Sequence, residues 1–159
     1  MKILIMRHGE AEHYADTDAE RALTEKGKRD SVNTAQLCVD NGYGHLDMVL
    51  VSPYLRAQQT WQAIASHFDT KQVKVCDDIT PYGDPRRVSD YIAAVAEVEK
   101  PKSILMVSHL PLVGYLTSEF VPNINPPMFP TSGMACIEYD VINGRGDLVL
   151  NIHPEINAF

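Results

Sequence analysis

Ile3-Leu4-Ile5-Met6-Arg7-His8-Gly9-Glu10 is an apolar run of four residues that breaks directly into charge, and its reading decides the fold. The run is too short for a helix and does not alternate, so it reads as a strand buried on both faces, as in a parallel sheet covered by helices. Met48-Val49-Leu50-Val51 and Ile104-Leu105-Met106-Val107 repeat the pattern, and Val73-Lys74-Val75 reads as a further buried strand. Between these runs the apolar spacing turns helical. Trp61, Ile64, Ala65 and Phe68 fall at i, i+3, i+4 and i+7, as do Val88, Tyr91, Ile92 and Val95. A further helix is expected over about residues 24–39, ending at Asn41-Gly42, and another after Pro111 with Val113, Leu116, Thr117 and Phe120 on one face. Strand and helix alternating in this way predict a three-layer α/β/α domain with a mainly parallel sheet.

Farther along, residues 121–133 hold four prolines and predict irregular backbone. Residues 134–139 and 148–152, joined through Asn143-Gly144-Arg145-Gly146, predict an antiparallel C-terminal hairpin. No repeat, low-complexity tract or linker divides the chain, so residues 1–159 are expected to form a single domain.

Composition narrows the function. The chain has 14 Lys and Arg against 21 Asp and Glu, a net charge of −7, which argues against nucleic-acid or anionic-membrane partners. Cys38, Cys76 and Cys136 are an odd number without a CxxC pair, so free thiols are expected rather than a zinc ribbon or a disulfide framework. The first apolar run is far shorter than a signal peptide's or the about 20 residues of a membrane-spanning helix, and a cytoplasmic location is expected.

In open parallel sheets ligands bind at the carboxyl ends of the strands. The first strand ends in Arg7-His8-Gly9-Glu10, the second in Ser52-Pro53-Tyr54-Leu55-Arg56 and the last parallel one in Ser108-His109-Leu110-Pro111. Two histidines and two arginines would thus share one edge. Arginine forks match phosphate oxygens bidentately and keep their charge. A neutral histidine can attack phosphorus and carry the group covalently, and cationic neighbours would keep it neutral near pH 7. Gly9 would let the backbone turn tightly beside the phosphate. Ser52 would cap the second helix with Pro53 at its first position, turning helix-terminal N–H groups toward the anion. Singly each feature also reads as ordinary structure; their convergence at three strand ends is what points to phosphoryl chemistry.

These residues also carry a resemblance. Ile5-Met6-Arg7-His8-Gly9-Glu10-Ala11 resembles the signature of the histidine phosphatase superfamily, which has the phosphoglycerate mutase-like fold. Residues 51–60 are similar to its second motif and residues 107–113 to its third. Leu23-Thr24-Glu25-Lys26-Gly27, Thr80-Pro81-Tyr82-Gly83-Asp84 and Pro126-Pro127-Met128-Phe129 resemble its phosphohistidine phosphatase branch, so that the likeness runs from residue 3 to about residue 139. The resemblance implies that His8 is the nucleophile, that Arg7 and Arg56 clamp the phosphoryl oxygens, and that His109 hydrogen-bonds to them through the transition state. Water would then attack phosphohistidine-8. No metal or organic cofactor is implied.

Two departures from the larger members bear on the substrate. The general-acid glutamate expected ahead of a glycine has Asp78 as its nearest equivalent, in Cys76-Asp77-Asp78-Ile79-Thr80-Pro81-Tyr82-Gly83; Asp77 and Asp78 also read as solvated turn residues. Imidazole, with a conjugate-acid pKa of ~6.5, leaves a phosphoramidate without the acid that an alkoxide needs. Only about 23 residues separate Thr60 from Gly83, which leaves no room for a helical lid insertion. A shallow, open pocket suits a phosphohistidine displayed on a partner protein, such as the phosphotransfer domain of a two-component relay. Met128 and Phe129 either line its rim or pack beneath the proline-rich loop. The competing readings are a small-metabolite phosphatase of the same superfamily and a non-catalytic phosphoryl-binding module. A metal-dependent hydrolase lacks its ligand spacing, and a receiver domain lacks its aspartate after the first strand.

Overall fold

The computed structural model describes residues 1–154, so residues 155–159 of the expected domain lie outside the described residues. In chain order the elements are β1 (Lys2–Arg7), α1 (Glu25–Asp40), β2 (His45–Leu46), β3 (Met48–Val51), α2 (Leu55–Ile64), β4 (Asp69–Thr70), β5 (Val73–Val75), α3 (Pro85–Val98), β6 (Ser103–Ser108), α4 (Leu112–Phe120), β7 (Met134–Asp140) and β8 (Arg145–Ile152). Short 3-10 turns stand at Asp18–Glu20, Ala65–His67 and Asp77–Ile79.

A six-stranded sheet has the order β5-β3-β6-β1-β7-β8. β5, β3, β6 and β1 run parallel, and β7 and β8 add to the β1 edge antiparallel. The near-continuous apolar strands have the anticipated cause, burial on both faces. Ile3, Ile5, Met48, Leu50, Ile104 and Met106 join one core with Val88 and Ile92 of α3 and Val113 and Leu116 of α4. Leu4, Met6, Val49, Val51, Leu105 and Val107 join another with Ala35 of α1 and Ala57 and Ile64 of α2. Two helical layers therefore sandwich the sheet.

Local chemistry sets most helix ends. The Thr24 hydroxyl accepts from Gly27 N–H and caps α1, and Asp84 accepts from Arg86 N–H and caps α3 with Pro85 in its first turn. α1 ends at Asn41, and Gly42 follows with a φ of 92°, a conformation that favours glycine.

Three sequence expectations need correction. Val73-Lys74-Val75 does form a strand, but on the sheet edge, with all three residues exposed rather than buried. The helix expected to carry Trp61 through Phe68 ends at Ile64; a 3-10 turn follows, and the buried face is Arg56, Ala57, Thr60 and Ile64. Ser52 does not cap α2, which begins at Leu55 after Tyr54. Between α2 and α3 the described chain contains two short strands and two 3-10 turns and no inserted helix.

Candidate active site

Register places the site. β1 and β6 pair in parallel with Arg7 opposite Ser108, so His8 and His109 leave the sheet side by side. The His8 N–H donates to the Ser108 carbonyl at 3.0 Å, and the two imidazole centroids lie 5.1 Å apart. β3 pairs with β6 up to Val51 opposite Val107, so Ser52 emerges next to His109. At the second residue of α2, Arg56 points back toward His8. The four side chains anticipated at the strand ends are thus brought together.

His8 is almost fully buried. Its Nδ1 lies 2.7 Å from the Gly9 carbonyl, which can only accept, so Nδ1 carries the ring proton and Nε2 presents a lone pair. Arg56 Nε donates to that Nε2 at 3.3 Å. Burial pushes the His8 pKa down to about 4, and the charges of Arg56 and Arg7 add to the effect against the opposing Gly9 hydrogen bond. Desolvation, rather than the cationic neighbours alone, is the main reason the imidazole is neutral.

His109 is 1 % exposed, and burial followed by the proximity of His8 and Arg56 lowers its pKa to about 3. Its Nε2 lies 2.7 Å from Ser52 Oγ, which already accepts the Tyr54 N–H at 3.2 Å. The arrangement that strands no hydroxyl proton has Ser52 donating to Nε2. The remaining proton then sits on Nδ1, a buried atom with no partner. Arg7 has the same shortage: Nη1 donates to the Phe129 carbonyl at 2.9 Å, while the buried Nε has no acceptor. Burial, then the charge of Arg56, draws the Arg7 pKa below its ordinary value. Buried donors are rarely left unpaired, and two at one site describe a cradle for an oxyanion.

The Gly9 N–H donates to Thr60 Oγ1 at 3.0 Å, and its carbonyl holds His8 Nδ1. Glycine is required because a Cβ would lie 2.6 Å from the Gly27 carbonyl oxygen of α1. Asp78 stands on a half-exposed turn with Oδ1 3.6 Å from Arg87 Nε of α3, and it makes no hydrogen bond to the four side chains among the described residues. Met128 is 79 % exposed while Phe129 is buried in the core, so the proline-rich loop divides its pair between rim and packing.

Sequence reasoning missed three supports. Ser52, expected to cap a helix, instead sets the His109 tautomer. Asp18 takes two hydrogen bonds from Arg56. Ser132, at a φ of 64°, donates its N–H to the His8 carbonyl and hydrogen-bonds Ser31 and Thr34 of α1. Only contacts distant in sequence reveal these roles. No group of three or more His, Cys, Asp or Glu among the described residues is placed to hold a metal ion.

Comparison with known proteins places this geometry. The model of the histidine phosphatase superfamily (branch 1) matches residues 3–80. Phosphohistidine phosphatase SixA of Escherichia coli K12 is 40 % identical over 155 residues, covering 97 % of this chain and 94 % of the relative. A SixA homolog of Haemophilus influenzae is 38 % identical over 147 residues, covering 88 % and 89 %. A solved structure of the protein histidine phosphatase SixA complexed with tungstate superposes with a TM-score of 0.92 at 38 % identity, covering 98 % of this chain and 99 % of that one.

Proposed function

As this chain belongs to the histidine phosphatase superfamily and is a phosphatase, a hydrolase, we propose that it removes phosphate from phosphohistidine on a partner protein through a phosphorylated His8. The observation that carries the reading is a neutral His8 Nε2 lone pair set beside Arg56 and two buried donors that lack acceptors. His8 Nε2 attacks phosphorus, the partner's imidazole leaves as the neutral ring because its distal nitrogen has taken a proton from solvent, and Arg7, Arg56 and His109 Nδ1 take up the charge on the phosphoryl oxygens. Water then attacks phosphohistidine-8, releasing phosphate and restoring the imidazole. An imidazole leaving group needs no acid from the enzyme, so Asp78 is assigned no step.

The partner is proposed to be a phosphotransfer domain of a two-component relay, met in the cytoplasm. A mouth without an inserted helix and the exposed Met128 favour a substrate displayed on a protein surface over an engulfed metabolite. The six-stranded sheet with both faces covered supports reading residues 1–159 as a single histidine phosphatase domain. No helix of the described residues is long and apolar enough to cross a membrane.

Phosphate release in EDTA, from a phosphorylated phosphotransfer domain and from a panel of phosphate monoesters, tests the proposal. Release from the phosphoprotein is expected, lost in His8→Ala and kept within about twofold in Asp78→Asn. Faster release from a small ester would overturn the protein substrate and keep the chemistry. Oxyanion binding without turnover would leave only a phosphoryl-binding module.

A further inference from the structure

Asp18 lies on the 3-10 turn between β1 and α1 and takes no part in the steps above. Its carbonyl accepts from Arg56 Nη1 at 2.7 Å, and its Oδ2 accepts from Nη2 at 3.1 Å. Its Oδ1 accepts from Arg21 Nη1 at 2.9 Å, and Arg21 Nε is held in turn by the Glu12 carbonyl at 2.7 Å. We propose that Asp18 is a positioning residue for the reaction: it grips both terminal nitrogens of Arg56 and so aims the Nε side of the fork at His8 Nε2 and the phosphoryl group bonded there. The proposal rests on the phosphatase reading for what arrives at His8; the contacts themselves do not depend on it.

Arg56 is 4 % exposed, so its five N–H groups cannot turn to water. Apart from His8 Nε2, Asp18 provides every side-chain hydrogen bond of that guanidinium among the described residues. Main chain and side chain of one residue act together, which fixes the guanidinium plane as well as its charge. A buried guanidinium without such a partner would be costly and free to tilt. Tyr54 adds a flank, its ring centroid 5.0 Å from the guanidinium carbon. Asp18 also brings a negative charge near an incoming anion. That charge is shared with Arg21, and the carboxylate is half exposed, so water screens it. The hydrogen bond from Arg21, reinforced by Arg56, holds the carboxyl below its ordinary pKa and keeps it ionised.

The opposite reading is that Asp18 occupies Arg56 as a stand-in for phosphate and must be displaced. The two differ in sign. Asp18→Ala removes the side-chain acceptor and leaves the carbonyl; Asp18→Asn keeps a neutral acceptor. Tungstate affinity by calorimetry and kcat and KM on a phosphohistidine protein are measured for both, beside Arg56→Ala, the Asp18→Ala/Arg56→Ala double variant and thermal unfolding of each. Asp18→Ala is expected to lose about tenfold in tungstate affinity and in kcat/KM, the size typical of removing an outer partner of a binding group, and Asp18→Asn less. In the Arg56→Ala background the same substitution is expected to cost nothing further, which a merely structural role would not produce. Unchanged or tighter tungstate binding, or a full additional loss on top of Arg56→Ala, would overturn the proposal. Tungstate binding needs no turnover, so a wild type that binds tungstate but hydrolyses no phosphohistidine fails the phosphatase reading while Asp18 is still judged. A wild type that binds no tungstate overturns both.

Discussion

At the scale of single residues, His8 and His109 owe their chemistry to lost water. The Asp18 charge favours the His109 imidazolium, but burial outweighs it and leads the causes that take His8 to about 4 and His109 to about 3. A free imidazole would be half protonated near pH 6.5 and lose half its nucleophile there. The acid limb of kcat/KM is therefore expected close to pH 4 to 5, with little change between about pH 5 and 7, in a profile corrected for spontaneous loss of phosphate. A limb at 6.5 would mean that His8 is solvated. Stability follows the same protons. The unfolded imidazoles bind a proton near 6.5 while the folded ones resist until about 4 and about 3, so their contribution is complete above pH 6.5 and is lost as pH falls through those values.

Elements act through register. One residue's slip between β1 and β6 would part His8 from His109, so the pairing of Arg7 with Ser108 matters as much as the residues beyond it. That pairing sets the end of the sheet that carries the proposed site, whereas a ribbon outside the sheet holds a titratable contact. β2 and β4 form a separate two-stranded ribbon, where His45 bonds Asp69 Oδ2 at 2.8 Å and Asp47 Oδ1 at 2.7 Å. Asp47 also faces Lys71 Nζ and accepts the Lys102 N–H, and Asp69 is the first residue of β4. Hydrogen bonds donated to Asp69 and Asp47 raise the His45 pKa. Its contribution is present below pH 6.5 and lost as pH rises through that raised value, opposite in sign to the active-site pair. Hydrogen exchange at the Lys71 amide, which donates to the Leu46 carbonyl, is expected to lose protection across that rise beyond the intrinsic pH effect, and His45→Gln is expected to remove the pH step.

The whole molecule places a rigid two-faced sheet beneath an unroofed site. Leu105 of β6 is fully buried at the centre of the sheet, whereas Val75 of β5 is 60 % exposed at its edge. Leu105→Ala is expected to cost about 2–5 kcal/mol by denaturant unfolding, and Val75→Thr less than about 0.5 kcal/mol. Equal losses would contradict the edge placement. Reading Val73-Lys74-Val75 as buried failed because three residues cannot reveal whether a helix covers them. The three central strands were legible because burial on both faces imposes continuous apolar runs. Arg7, His8, Arg56 and His109 were legible because parallel strands present their carboxyl ends together.

What the sequence determined by itself is local: apolar runs, helix caps such as Thr24 and Asp84, and the residue types that follow each strand. These follow from propensity, periodicity and chemistry within a few neighbouring residues. The tertiary structure alone decided the rest: the proton on His8 Nδ1 and the lone pair on Nε2, the Ser52 hydroxyl on His109, and the hold of Asp18 on Arg56 across 38 positions of chain. Each depends on which buried donor meets which acceptor. That is a property of packing, which no window of sequence contains.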